Sequence, residues 1–193
     1  ALGVEHAEVG EVVRGLDREL GRLWARLEAL GGEATLVVTA DHGHVSVLPE
    51  EMVTLPDALL DCLEYANIGV HGKGRHSLFH LRSGRRDAFE RGWAACPELA
   101  EHFLLLSIEE AAEEGLFGPS GTVREEVRPR LGDLIALSVG AWTLVTPKEA
   151  RHLRDGAERR VQGAHGSLTE AEMRIPFVVC TTSCCAKGGA SSL

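Results

Sequence analysis

Apolar side chains return every three or four positions from Val9 through Val12, Val13, Leu16, Leu20, Leu23, Trp24 and Leu27 to Leu30. That period predicts an amphipathic helix with one broad apolar face, and Glu8 and Glu11 sit near its start, where carboxylates suit the helix dipole. Gly31 and Gly32 end it. Thr35-Leu36-Val37-Val38-Thr39 is then a short, continuous run rich in β-branched residues. Such a run predicts a strand covered on both faces, as in a parallel sheet flanked by helices. Helix, tight turn and buried strand in succession is an α/β signature.

The middle of the chain is less regular. Its patterning predicts short helices over 56–64 and 87–96 and strands over 76–81 and 103–106. Ser107 and Glu110 have the spacing of a capping box for a helix reaching about residue 114. Residues 134–139 and 142–145 read as two strands around Gly140, in the manner of a hairpin. Thr146-Pro147-Lys148-Glu149 opens another helix, with Pro at its first position. Ser167 and Glu170 again have box spacing, ahead of a second buried strand over 175–179. No repeat or low-complexity linker interrupts the pattern. One domain is therefore expected over 1–180, with 67–146 as an inserted subdomain and 181–193 as a disordered or non-native tail.

A chain of 193 residues can bury one substantial core. No apolar run approaches the roughly 20 residues of a membrane span. Acidic side chains outnumber basic ones by 29 to 20, a net charge of −9, which argues against a nucleic-acid-binding module. Small nucleotides stay open as substrates, because bound cations would offset their phosphates. The five cysteines follow no regular framework, which argues against a secreted disulfide scaffold. Cys184 and Cys185 are adjacent but lack a second pair at zinc-site spacing. With no initiating Met, no leader is legible; the compartment stays open, the cytoplasm being the default, and the oligomeric state is not legible.

Asp41, His42, Gly43 and His44 directly follow the first predicted strand. Open α/β sheets bind ligands beyond the carboxyl ends of their strands. A carboxylate and an imidazole adjacent on such a turn can face one cation, and Gly43 lets the backbone bend without a Cβ clash. Mixed oxygen and nitrogen donors favour Zn²⁺, Mn²⁺ or Fe over Ca²⁺. On the dipeptide alone, Asp41 as a turn cap and His42 as an incidental surface residue is an equal alternative. His165-Gly166 occupies a second loop, ahead of a helix and a strand, and would also lie at a sheet edge; a lone loop histidine is the alternative. His71, His76 and His80 lie around Gly72-Lys73-Gly74-Arg75, which completes no P-loop pattern and reads as an exposed polar turn. Arg130-Leu131-Gly132-Asp133 reads as structural.

Three stretches taken together resemble the alkaline phosphatase superfamily, specifically its type I phosphodiesterase / nucleotide pyrophosphatase branch. They are Thr39-Ala40-Asp41-His42-Gly43, His165-Gly166-Ser167-Leu168-Thr169-Glu170-Ala171-Glu172-Met173-Arg174-Ile175-Pro176-Phe177, and the helix Leu16-Asp17-Arg18-Glu19-Leu20-Gly21-Arg22-Leu23. The resemblance runs from the first residues to about residue 179. It implies a three-layer α/β sandwich with a mostly parallel central sheet. It also implies a metal-dependent hydrolase of phosphate esters or nucleotides with two divalent ions, zinc foremost and manganese or iron as alternatives.

Carried over by position, Asp41 and His42 would bind the ion that activates the nucleophile, and His165 would bind the second. His44 is a candidate for the outer shell. In this family the second ion also takes an Asp and a His from a loop before the first helix. Gly3 matches the Gly that closes that loop, which places the matching His ahead of Ala1; His6 stands out of register. The family's nucleophile, a Thr or Ser at a helix start, belongs to an earlier segment, so the catalytic residue is unassigned in this chain. The expectation is the C-terminal portion of such an enzyme, its N-terminal part missing. An inactive truncated fragment is one alternative, and a phosphonate or sulfate ester hydrolase of the same superfamily is another. Without its first strands, the sheet is expected to show an unpaired edge and apolar surface.

Overall fold

The computed structural model describes residues 3–65, 70–71, 74–155 and 162–182, so Gly72, Lys73, Cys184, Cys185 and all of 183–193 lie outside the described residues. In chain order the elements are α1 (Ala7–Leu30), β1 (Thr35–Thr39), β2 (Val45–Val47), β3 (Met52–Thr54), α2 (Asp57–Leu60), β4 (Val70–His71), β5 (His76–Phe79), α3 (Arg86–Ala94), α4 (Pro97–His102) and β6 (Phe103–Ser107). There follow α5 (Ile108–Glu113), α6 (Arg128–Leu131), β7 (Leu134–Ser138), β8 (Thr143–Val145), α7 (Pro147–Asp155), β9 (Gln162–Ala164), α8 (Glu170–Met173) and β10 (Phe177–Thr181). The chain is α/β and forms two compact units, Ala1–Val4 with Gly43–Met173, and Glu5–His42 with Arg174–Leu193. Among the described residues no helix is long and apolar enough to cross a membrane.

The larger unit is built around β7, whose five residues are all buried. Its order β4-β5-β7-β6 is antiparallel throughout, with Leu134 opposite both Phe79 and Ser107. Alternate side chains of β7 serve different clusters, as strand geometry requires. Leu134 and Ala136 join Leu55, Leu63, Phe79, Phe89, Trp93, Leu99 and Phe103. Ile135 and Leu137 pack with Ile108 and Ala111 of α5. Phe79, Phe89 and Trp93 interlock with ring centroids 5.0–5.8 Å apart, within the usual range for aromatic pairs.

The expected hairpin around Gly140 does not form. Both edges of β7 are already taken by β5 and β6, so β8 pairs instead with β3, in parallel, Met52 opposite Thr143. The box at Ser107 is present: its hydroxyl accepts from the Glu110 N–H at 3.1 Å, while the Glu110 carboxylate accepts from the Ser107 N–H at 2.8 Å. The Ser107 hydroxyl also donates to that carboxylate and holds its pKa below the ordinary value. Ser107→Ala is expected to destabilise the protein by about 1 kcal/mol, the usual loss of an N-cap, measurable by urea denaturation. Thr146 and Glu149 make the same reciprocal contacts at the start of α7.

In the smaller unit, α1 ends at Gly31 as expected and starts at Ala7, two residues ahead of the apolar stripe. The His6 ring accepts the Glu8 N–H at its start, and Gly31, at φ +64°, ends it. β1 pairs with β10 over five residues, Thr35 opposite Thr181 and Thr39 opposite Phe177. Two expectations fail here. The pair is antiparallel rather than parallel, and neither strand is covered on both faces; Val37 is 49% exposed and Phe177 74%. An apolar, β-branched run reports strand preference; it says nothing of direction or of what covers it. The strands that meet here come from opposite ends of the chain, so no short crossover dictates their sense. α1 likewise buries none of its residues, and Leu16 on its apolar stripe is 60% exposed. The described sheets are thus small and mixed, with β3–β8 the one parallel pairing among the described residues.

Candidate metal centre

Two short strands absent from the sequence reading assemble the site. β2 and β9 pair antiparallel in the register Val45–Ala164, Ser46–Gly163, Val47–Gln162. One step beyond the ladder, the residue before Val45 is His44 and the residue after Ala164 is His165. The register therefore carries these two imidazoles to the same end, and their ring centroids lie 4.9 Å apart in an edge-on arrangement. His42, two positions before His44 on the same turn, supplies a third ring nitrogen. One ligating atom from each of His42, His44 and His165 lies within 4.8 Å of the others.

Asp41 lies outside this three-nitrogen group. Its carboxylate accepts the His42 N–H at 3.0 Å, and its other oxygen is 3.4 Å from His42 Nε2. Of the residues expected as ligands, His42 and His165 are brought together. His44, expected only in an outer shell, stands beside them. Its signal was in the sequence, as one more imidazole on the Asp41-His42-Gly43 turn, but the family pattern gave it no role. His6 caps α1 instead.

Glycine shapes both turns. The Gly43 N–H donates to the Glu172 carbonyl at 2.7 Å, and a Cβ on Gly43 would lie 1.9 Å from the Ala171 carbonyl oxygen. The turn thus lies directly on the backbone of α8. Gly166 has φ +121°, a conformation side chains disfavour, and a Cβ there would meet His76 Nδ1 at 2.8 Å. That nitrogen is buried and finds no hydrogen-bond partner among the described residues.

The residue that receives the Gly43 N–H is also one half of a buried ion pair. Arg75 Nε and Nη2 donate to the two carboxylate oxygens of Glu172, at 3.0 and 2.5 Å, and both side chains are shut off from solvent. Arg75 Nη1 donates to Ser138 Oγ at 2.8 Å and to the Trp142 carbonyl at 2.7 Å. Glu172 also accepts from the Ser167 N–H at 3.0 Å and from the Thr169 hydroxyl at 2.5 Å. Burial pushes its carboxyl up, but the hydrogen bonds from Arg75, Thr169 and the Ser167 N–H outweigh that and hold it down at about 2.

Two expectations from the sequence fail in this region. Arg75 belongs to no exposed turn: it is buried, and the preceding Gly74, at φ +74°, packs on Thr143 and Leu144. Ser167 does not cap α8 through Glu170; its hydroxyl donates to the Ser138 carbonyl at 2.7 Å, while Thr169 holds Glu172. Arg130-Leu131-Gly132-Asp133 is structural as read, since Asp133 accepts the Leu81 N–H and Gly132 lies against the Phe79 carbonyl.

The type I phosphodiesterase / nucleotide pyrophosphatase family matches residues 1–168. The chain belongs to this family. None of the curated proteins matches it. Human ectonucleotide pyrophosphatase / phosphodiesterase 5 shares the fold at a TM-score of 0.65 and 19% identity, over 92% of this chain and 42% of that one. The murine counterpart gives 0.63 and 18%, over 91% and 42%. Phosphonoacetate hydrolase from Sinorhizobium meliloti 1021, solved with phosphonoformate, gives 0.53 and 26%, over 82% of this chain and 38% of that one. This phosphodiesterase-family chain thus spans less than half the length of these neighbours. Three imidazole nitrogens this close together could hold a metal ion.

Proposed function

We propose that the chain is the C-terminal part of a metal-dependent phosphoester hydrolase, a phosphodiesterase or nucleotide pyrophosphatase, whose remaining ligands and nucleophile lie in preceding sequence. The convergence of His42, His44 and His165 in a chain of this family carries the reading. His42 and His165 would hold divalent ions, zinc foremost and manganese or iron as alternatives, with Asp41 beside His42 and His44 as a further donor. Two ions are expected in the complete site. When bound, such ions supply Lewis-acid stabilisation of phosphoryl oxygens and acidify a nucleophile's hydroxyl. This chain's own residues orient the imidazoles: the β2–β9 register sets His44 against His165, and Gly43 seats the turn on α8. The substrates proposed are small phosphate esters or nucleotides.

In the complete protein, β1 and β10 would belong to a larger, mostly parallel sheet between helical layers. The exposed apolar faces of α1, β1 and β10 support that view. By itself the chain is expected to turn over nothing. A version extended upstream is expected to hydrolyse bis-p-nitrophenyl phosphate with added Zn²⁺ or Mn²⁺, and His165→Ala and Asp41→Ala are each expected to abolish this. Unchanged turnover in both variants refutes the assignment. The likeness to phosphonoacetate hydrolase favours a second reading, hydrolysis of a phosphonate, which release of phosphate from phosphonoacetate by the same extended protein would support. A sulfate ester hydrolase remains a weaker rival, tested by p-nitrophenyl sulfate in the same assay.

A further inference from the structure

Arg75 and Glu172 belong to no ligand set, yet both histidine turns of the larger unit are tied to them. Arg75 sits at the entry to β5. Its carbonyl accepts the Ser138 N–H at 2.8 Å, which fixes it to β7 in the buried sheet. Four hydrogen bonds hold its guanidinium, to Glu172, Ser138 and Trp142. Glu172 then reaches in two directions. Its main-chain carbonyl accepts the N–H of Gly43, the neighbour of His44. Its carboxylate accepts the N–H of Ser167, two residues beyond His165.

A buried ion pair is a poor device for stability alone, since desolvation offsets most of its attraction and apolar replacements are often neutral. What such a pair offers here is rigidity with fixed hydrogen-bond directions, because a bidentate arginine fork allows one arrangement. We infer that the Arg75–Glu172 pair is a positioning element that holds the His44 and His165 turns in register for metal binding. The inference rests on the proposed metal-binding role of these histidines. It assigns the two residues no contact with substrate.

The test uses the full chain and two readouts. The first is the nuclear Overhauser effect between the His44 and His165 ring protons without metal. The second is titration with Co²⁺ alone, followed by its d–d absorption bands. The Arg75→Met/Glu172→Met double variant removes both charges at similar volume and is expected to keep a cooperative melt. It is nonetheless expected to lose the ring-to-ring effect, to bind Co²⁺ about 10–100-fold more weakly, the range for lost supporting contacts, and to show altered bands. Glu172→Gln is expected to fall between it and the unchanged protein.

A folded double variant with the ring-to-ring effect, affinity and bands intact overturns the inference, and so does absence of the ring-to-ring effect in the unchanged protein. If the unchanged protein shows that effect but binds no Co²⁺, while the double variant loses the effect, the metal reading fails and the positioning role stands.

Discussion

Glu172→Ala is expected to lower the free energy of unfolding by about 3–5 kcal/mol, the usual consequence of removing one partner from a buried ion pair. The loss arises chiefly at Arg75, whose guanidinium would stay charged and shut off from water with two of its donors unmatched. Stabilities of single domains are about 5–15 kcal/mol, so this one truncation would consume much of the total. The same pair makes stability depend on pH. The carboxyl lies at about 2 in the folded protein against 4.5 for the ordinary group. Folded protein therefore binds fewer protons than unfolded chain in that interval. The stabilisation is complete above pH 4.5 and drains away as the pH falls toward 2. A difference of that size corresponds to about 3 kcal/mol. Urea denaturation at about pH 7 and about pH 3 should show a smaller acid-induced loss in Glu172→Gln than in the unchanged protein. Equal acid sensitivity, or a Glu172→Ala variant as stable as its parent, would remove the pair from this role.

Gly43→Ala is expected to destabilise by about 3 kcal/mol, at the upper end for overpacking. The new methyl group would fall 1.9 Å from a main-chain carbonyl of α8, which cannot swing aside as a flexible side chain would. The turn must lift, and the Gly43–Glu172 hydrogen bond goes with it, a further loss of about 1 kcal/mol. His44 is the next residue, so Co²⁺ affinity should fall with stability. Gly21 on α1 supplies the control: nothing lies within 4 Å of a Cβ there. Gly21→Ala should raise helix stability by up to about 1 kcal/mol and leave metal affinity unchanged. Thermal melts and Co²⁺ titrations of the two variants check both statements. Equal melting of Gly43→Ala and the parent would mean the turn does not rest on α8.

What could be read from the sequence was local. The α1 stripe from Val9 to Leu30, the box at Ser107 and the helix start at Thr146-Pro147 depend on residues a few positions apart, and all three are present. The β1 run was recognised too, because β-branched residues in succession mark a strand wherever it lies. β2 and β9 went unread, since three residues each carry no usable period and Val45 meets Ala164 only through the fold. The same remoteness hid the ion pair. Arg75, among glycines and lysine, looked like surface, and its partner lies 97 positions away. His42 and His165 stand out in the sequence because their glycine-bearing turns follow a family pattern, whereas that pattern gives His44 no task.

Among the described residues three pairs join β2 to β9, and they set His44 opposite His165. Exposed segments between the two strands, such as the stretch around Ser120 and Glu125, can change length, whereas Arg75 and the buried sheet that anchors it must stay with that short register. A lineage built on this plan can remodel the surface around the histidines without rebuilding them.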